Sequence, residues 1–162
     1  MTELSITPLP AAPLHVLEIW SNPPGVAKRF ATTFGASLPP QGSSLQLPSM
    51  QLIRYEPTVW LVEGEIGGLA EVLGSDGSLT AIGGGLVRVR LSGAAWRSLL
   101  MEHGVFDAES KAFAPGCSAA TVIDNVNVRL LVESADACLA YVPLSYAQDM
   151  IHFWTVAAGT LV

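Results

Sequence analysis

The chain has 162 residues, of which 50% are hydrophobic and 14% charged, and it carries a formal net charge of −6. That length suits one ordinary domain, and the hydrophobic share argues for a folded core and against disorder. Its few basic residues are scattered, which excludes the dense cationic face that nucleic acid or an anionic membrane requires.

Residues 1–13, punctuated by Pro8, Pro10 and Pro13, read as a loose lead-in; without a basic start they are not expected to be a secretory signal. Residues 14–20 are a strand candidate. A turn from Ser21 to Gly25 leads into a short helix over 26–34, where Val26, Phe30 and Phe34 recur at every fourth position and Gly35 marks the stop. Residues 37–49, rich in Pro, Gly and Ser, are expected as loop. Strands are expected at 50–55 and 58–63. The helix expected over 66–73 is weakened by Gly67 and Gly68, since a glycine costs about 1 kcal/mol inside a helix. A turn over 74–77 precedes a strand at 78–82.

Gly83-Gly84-Gly85 forms an internal joint. In residues 86–91, Val87, Val89 and Leu91 alternate with Arg88 and Arg90, as a strand with one apolar face requires. Ser92 is the expected cap of a helix over 94–103 that places Trp96, Leu99, Leu100 and His103 on one face, and Gly104 ends it. A long connection over 105–116 leads to strands at 119–123, 126–133 and 137–143. Ser145 with Gln148 reads as a capping box for a last helix, 146–158, burying Ala147, Met150, Ile151 and Trp154. The halves share one order (strand, helix, strands, helix), with VWLVEGEIGGLAEVL in the first corresponding to CLAYVPLSYAQDMI in the second. The expected fold class is α+β: two related half-units, about 14–82 and 86–158, with mostly antiparallel sheets. Each alone is too small to bury a sufficient core, so they are expected to pack as a single domain over 1–162.

The glycine triplet precedes a strand, and neither GxGxxG nor GxxxxGKS/T occurs, so a joint or bulge fits better than a phosphate loop. His15, His103 and His152 stand at no metal-ligand spacing, and no metal site is expected. His103 reads as a partner of a helix C-terminal dipole. GxSxG is absent, and no catalytic residue is expected. Cys117 and Cys138 form no CxxC pair and read as reduced, packed thiols, which makes the cytoplasm the expected compartment. No run of about 18 uncharged apolar residues occurs, so no membrane span is expected. Trp60, Trp96 and Trp154 are core candidates, and Trp20 is the tryptophan expected at the surface. Arg88 and Arg90 share a strand face, with Arg129 on a neighbouring strand. Such a group suits bidentate carboxylate recognition; the simpler reading is a solvated face paired with Glu133 or another carboxylate. The low charge also fits a surface partly covered by a partner, against the alternative of a compact apolar monomer.

Several phrases of the second half go further: VRVRLSG, a helix ending in Leu99-Leu100, Phe106-Asp107, Phe113-Ala114-Pro115-Gly116, a strand opening near Ala120-Thr121, and above all VPLSYAQDMIHFW. In these, residues 86–158 resemble the gamma subunit family of heterotetrameric sarcosine oxidase. The resemblance implies a fold like the folate-binding domain of the glycine-cleavage aminomethyltransferases. It implies a non-catalytic, structural role in a complex that oxidatively demethylates sarcosine and passes the one-carbon unit to tetrahydrofolate. The partners would be flavin-bearing alpha and beta subunits holding FAD, FMN, NAD and tetrahydrofolate, with no cofactor on this chain and self-association possible in isolation. The alternative is a stand-alone tetrahydrofolate-binding module, in which Arg88, Arg90 and Arg129 grip the glutamate tail and Trp60 stacks on the pterin. The chain departs from the family at Ala120, where an arginine is usual before the threonine.

Overall fold

The computed structural model describes residues 4–161. They form an α+β fold with two five-stranded antiparallel sheets and four helices. The chain divides into two compact units, Ala12–Gly83 and Gly84–Val162, the latter completed by the N-terminal segment up to Ala11. Strand β1 (Ser5–Pro8) therefore belongs to the second unit.

The first unit runs β2 (Leu14–Ile19), α1 (Pro23–Phe34), β3 (Ser44–Gln46), β4 (Met50–Arg54), β5 (Val59–Gly64), α2 (Leu69–Leu73) and β6 (Gly77–Ala81), with strand order β3-β4-β5-β2-β6. Alternation places Leu17 and Ile19 of β2, Leu52 of β4, and Trp60 and Val62 of β5 in one core with Val26 and Phe30 of α1 and Leu69, Val72 and Leu73 of α2. Helix α1 begins earlier than its apolar spacing predicts. Asn22 (φ 46°) accepts from the Gly25 N–H at 3.3 Å, and two prolines follow it where a missing N–H is harmless. Gly35 (φ 68°) closes the helix as expected. Helix α2 is shorter than expected, because Gly68 (φ 87°) holds a left-handed conformation that delays its start. The loop expected over 37–49 contains the short edge strand β3.

The second unit runs β7 (Leu86–Ser92), α3 (Trp96–Met101), β8 (Ser118–Ile123), β9 (Val126–Ser134), β10 (Ala137–Pro143) and α4 (Leu144–Ala158), with strand order β1-β7-β10-β9-β8. Three expectations are corrected here. Residues 5–8 are not a loose lead-in: they pair antiparallel with β7, from Ser5 opposite Ser92 to Pro8 opposite Val89. Ser92 does not cap α3. It stays in the ladder, Gly93 (φ 113°) turns the chain, and the helix starts at Trp96 without a side-chain cap. Ser145 and Gln148 form no capping box, because α4 starts at Leu144 directly after Pro143, and the Leu144 N–H donates to the Gly85 carbonyl at 3.0 Å. Ala147, Met150, Trp154 and Ala158 of α4 are buried, while Ile151 is half-buried.

Read from one edge, the sheets match element for element: β3-β4-β5-β2-β6 against β8-β9-β10-β7-β1. In each unit one helix follows the fourth strand of that order and another follows the third. The last position is filled by β6 from within the first unit and by β1, from the far end of the chain, in the second. Among the described residues, no helix is long and apolar enough to cross a membrane.

Candidate functional site

Strand register in the second unit brings the arginines together. Arg88 on β7 lies opposite Tyr141 on β10, which lies opposite Arg129 on β9. The next row places Arg90, Leu139 and Leu131 side by side. The face is the one turned away from Val89, Leu91, Val128 and Leu130, which face the helices. Tyr141 is fully buried within this face.

The guanidinium groups are engaged. Arg90 forms a two-pronged pair with Glu133, Nε to Oε2 at 2.6 Å and Nη2 to Oε1 at 2.8 Å. This geometry is the strong form of the arginine–carboxylate contact. Their side chains remain 43% and 26% exposed, so solvent holds the pair's contribution to about 1 kcal/mol or less. Arg88 donates through Nη2 to the Pro10 carbonyl and so fastens the exit of β1 to β7. Arg129 is also partnered. Trp60, the fourth candidate, lies in the other unit's core beneath α1 and α2, with the Arg54 guanidinium 4.5 Å from its ring centroid. The structure therefore gathers Arg88, Arg90 and Arg129 on one sheet face and places Trp60 in a packed core. The forked face of Arg90 is taken by Glu133 and is not presented to a ligand carboxylate.

Two networks carry no motif that sequence reasoning could have found. In the first unit, Asp76 accepts from Ser21 Oγ at 2.7 Å and from Arg29 Nη2 at 2.7 Å, while Arg29 Nε donates to the Val72 carbonyl at 2.7 Å. The Ser21 hydroxyl, then the Arg29 guanidinium, hold the Asp76 carboxyl below its ordinary range. This knot joins the start of α1 to the end of α2. Beside it lies Trp20, 61% exposed, with its Nε1 donating to the Ser75 carbonyl at 3.1 Å. A shallow depression of about 250 Å³ opens between α1 and α2, lined by Lys28, Arg29, Thr32, Thr33, Glu71 and Val72. In the second unit, Arg97 stacks 4.3 Å from the Trp96 ring centroid and donates to the carbonyls of Ala108 and Phe113, pinning the long connection between α3 and β8. Among the described residues, no three His, Cys, Asp or Glu side chains converge as metal ligands would.

The two thiols differ in kind. Cys117 is half-buried, whereas Cys138 is fully buried, and burial pushes its pKa up to about 12. The unfolded chain releases this proton near pH 9, so between about pH 9 and 12 the folded state holds the extra proton and loses stability as pH rises. That loss approaches about 1.4 kcal/mol per pH unit. Denaturation across this range is expected to show the stability gap between wild type and Cys138→Ala narrowing with rising pH. In native protein only Cys117 is expected to react with a thiol reagent, so modification of both thiols without denaturant would contradict the assignment.

No protein-family model matches this sequence. No curated protein matches it either. Solved structures do match its fold. A chain of the heterotetrameric sarcosine oxidase from a Corynebacterium sp., solved with pyrrole 2-carboxylate, superposes with a TM-score of 0.84 at 16% identity, over 97% of this chain and 84% of that one. The glycine cleavage system aminomethyltransferase T from Bartonella henselae matches with a TM-score of 0.66 at 13% identity, over 94% of this chain. The protein spans only 45% of that aminomethyltransferase chain. The α+β architecture with its paired antiparallel sheets is thus the fold shared with a sarcosine oxidase chain and with part of an aminomethyltransferase.

Proposed function

We propose that this chain is a non-catalytic, architectural subunit of a cytoplasmic sarcosine-oxidase-like complex, docking on flavin-bearing alpha and beta subunits that carry FAD, FMN, NAD and tetrahydrofolate. One observation carries the reading: the fold matches a chain of a heterotetrameric enzyme over nearly the whole of both chains, 97% and 84%. The commitment of Arg90 to Glu133 is consistent with it, since a folate-gripping face needs a free fork.

The test is co-expression with a flavin-bearing candidate partner. The isolated chain is expected to show no flavin absorbance and no sarcosine turnover. It is expected to co-purify with the flavoprotein at fixed stoichiometry, and turnover is expected from the assembly. Sarcosine oxidation by the isolated chain would sink the proposal. Calorimetry with tetrahydrofolate separates the alternative module: binding near about 1 μM, corresponding to about −8 kcal/mol, and lost in Arg90→Ala, would favour it.

A further inference from the structure

We propose that β6 is a pairing edge at which two copies of this chain join antiparallel, Leu79 opposite Leu79, so that their first-unit sheets become one. The reading is independent of the subunit role proposed above. The sheets end in β1 and β8 in one unit and in β3 and β6 in the other. An open edge offers its backbone groups to any extended chain, and folded proteins blunt such edges. Strand β1 is four residues long and turns Pro8, which lacks an N–H, outward. Strand β3 has three residues and is soon followed by Pro48. Strand β8 is bridged by Gly104 at Ile123, and its Val122 carbonyl accepts from the Val105 N–H at 3.4 Å. Strand β6 carries none of these devices. It reads Gly-Ser-Leu-Thr-Ala, holds one regular register along β2, contains no proline, and belongs to an uncharged run from Gly77 to Val87.

The ladder to β2 fixes which groups face out. The Ile82 N–H donates to the Leu14 carbonyl and the Trp20 N–H to the Asp76 carbonyl, so Ser78 and Thr80 also turn their backbone groups toward β2. Gly77, Leu79 and Ala81 turn theirs away, and those of Leu79 and Ala81 have no partner among the described residues. This set is self-complementary. With Leu79 on a two-fold axis, Leu79 exchanges both hydrogen bonds with its copy, and Gly77 pairs with Ala81. On the face that bears the helices, the half-buried Leu79 side chains cover one another. On the other face Ser78 stands opposite Thr80, a hydroxyl pair that is favoured across strands. No like charges meet along the strand, so the net charge of −6 on each copy acts only at a distance, where salt screens it. A strand of another protein matches the backbone groups; a second copy matches the side chains as well.

One short strand makes a small interface, so dissociation near about 100 μM is expected, with the chain a monomer at low micromolar concentration. Sedimentation equilibrium of the wild type across that range tests for the monomer–dimer equilibrium. Ala81→Pro removes one outward N–H and leaves the ladder to β2 intact. It is expected to weaken the dimer by about tenfold or more, with the melting temperature unchanged. Cross-linking reads the register. In a Cys117→Ala background, Leu79→Cys is expected to form a disulfide with its copy under mild oxidation about tenfold faster than Thr80→Cys, because only position 79 lies opposite itself. A wild type still monomeric at about 1 mM overturns the proposal. So does a dimer indifferent to Ala81→Pro, or equal cross-linking at positions 79 and 80. Amide exchange at Leu79 and Ala81 that slows when a flavoprotein is added, and not when the chain alone is concentrated, also overturns it, since the strand added to β6 is then the flavoprotein's.

Discussion

Deleting residues 1–10 is expected to lower folding stability by about 2–3 kcal/mol and to make the protein associate in a concentration-dependent way. Strand β1 is joined to β7 through four residue pairs, continued by the Leu9 N–H donating to the Arg88 carbonyl at 2.9 Å. Leu4 and Ile6 pack against the second unit's core. Their partial burial contributes about 1 kcal/mol each, and each ladder hydrogen bond a similar net amount. The entropy of ordering this short segment offsets much of that, which leaves a few kcal/mol. The larger consequence is kinetic and colloidal. Without β1, the sequence LVRVRLS becomes an unpaired edge with strong strand propensity, a template for another chain. Native β1 blunts that edge by being four residues long and ending in Pro8. Urea denaturation with sedimentation velocity measures both effects, and Ile6→Ala serves as control, losing about 1–2 kcal/mol without associating. A truncated chain that stays monomeric and equally stable would mean that β1 contributes nothing to the second unit.

What was legible in the sequence was local. The alternation of Val87, Val89 and Leu91 with Arg88 and Arg90 gave the strand, its faces and the expectation of a carboxylate such as Glu133 near the arginines. The pairing itself required knowing that β9 and β7 flank β10, an order set by packing of residues 43 positions apart. Strand β1 was hidden for the same reason. Its prolines suit a lead-in and an edge strand alike, and its partner lies some 80 residues away. The capping signals at Ser92 and Ser145 misled because capping chemistry assumes a free approach to the helix. Ser92 is held in a ladder between β1 and β10, and α4 leaves β10 without an intervening turn. The Asp76 knot spans 47 positions between its ionic partners, and nothing in a Gly-Ser-Asp-Gly turn announces it.

Trp154→Ala is expected to destabilise the protein by about 4 kcal/mol, since the indole is wholly enclosed and its removal leaves a cavity that the sheet cannot fill. Trp154→Phe is expected to behave quite differently from Trp96→Phe, although the two indoles are 0% and 1% exposed. Trp96 donates through Nε1 to the Ala135 carbonyl at 3.0 Å, whereas the buried Trp154 Nε1 has no partner among the described residues. Replacing Trp96 with phenylalanine loses a hydrogen bond as well as volume. Replacing Trp154 loses volume but removes an unsatisfied donor, which costs the native state about 1–3 kcal/mol. The two terms at Trp154 oppose each other, so its phenylalanine variant is expected to fall within about 1 kcal/mol of wild type, and the Trp96 variant about 2 kcal/mol below it. Guanidinium denaturation of the four variants, Trp→Ala and Trp→Phe at each site, separates packing from hydrogen bonding. Equal losses for the two phenylalanine variants would mean that the bare indole N–H of Trp154 carries no penalty, and that volume alone sets the stability of this core.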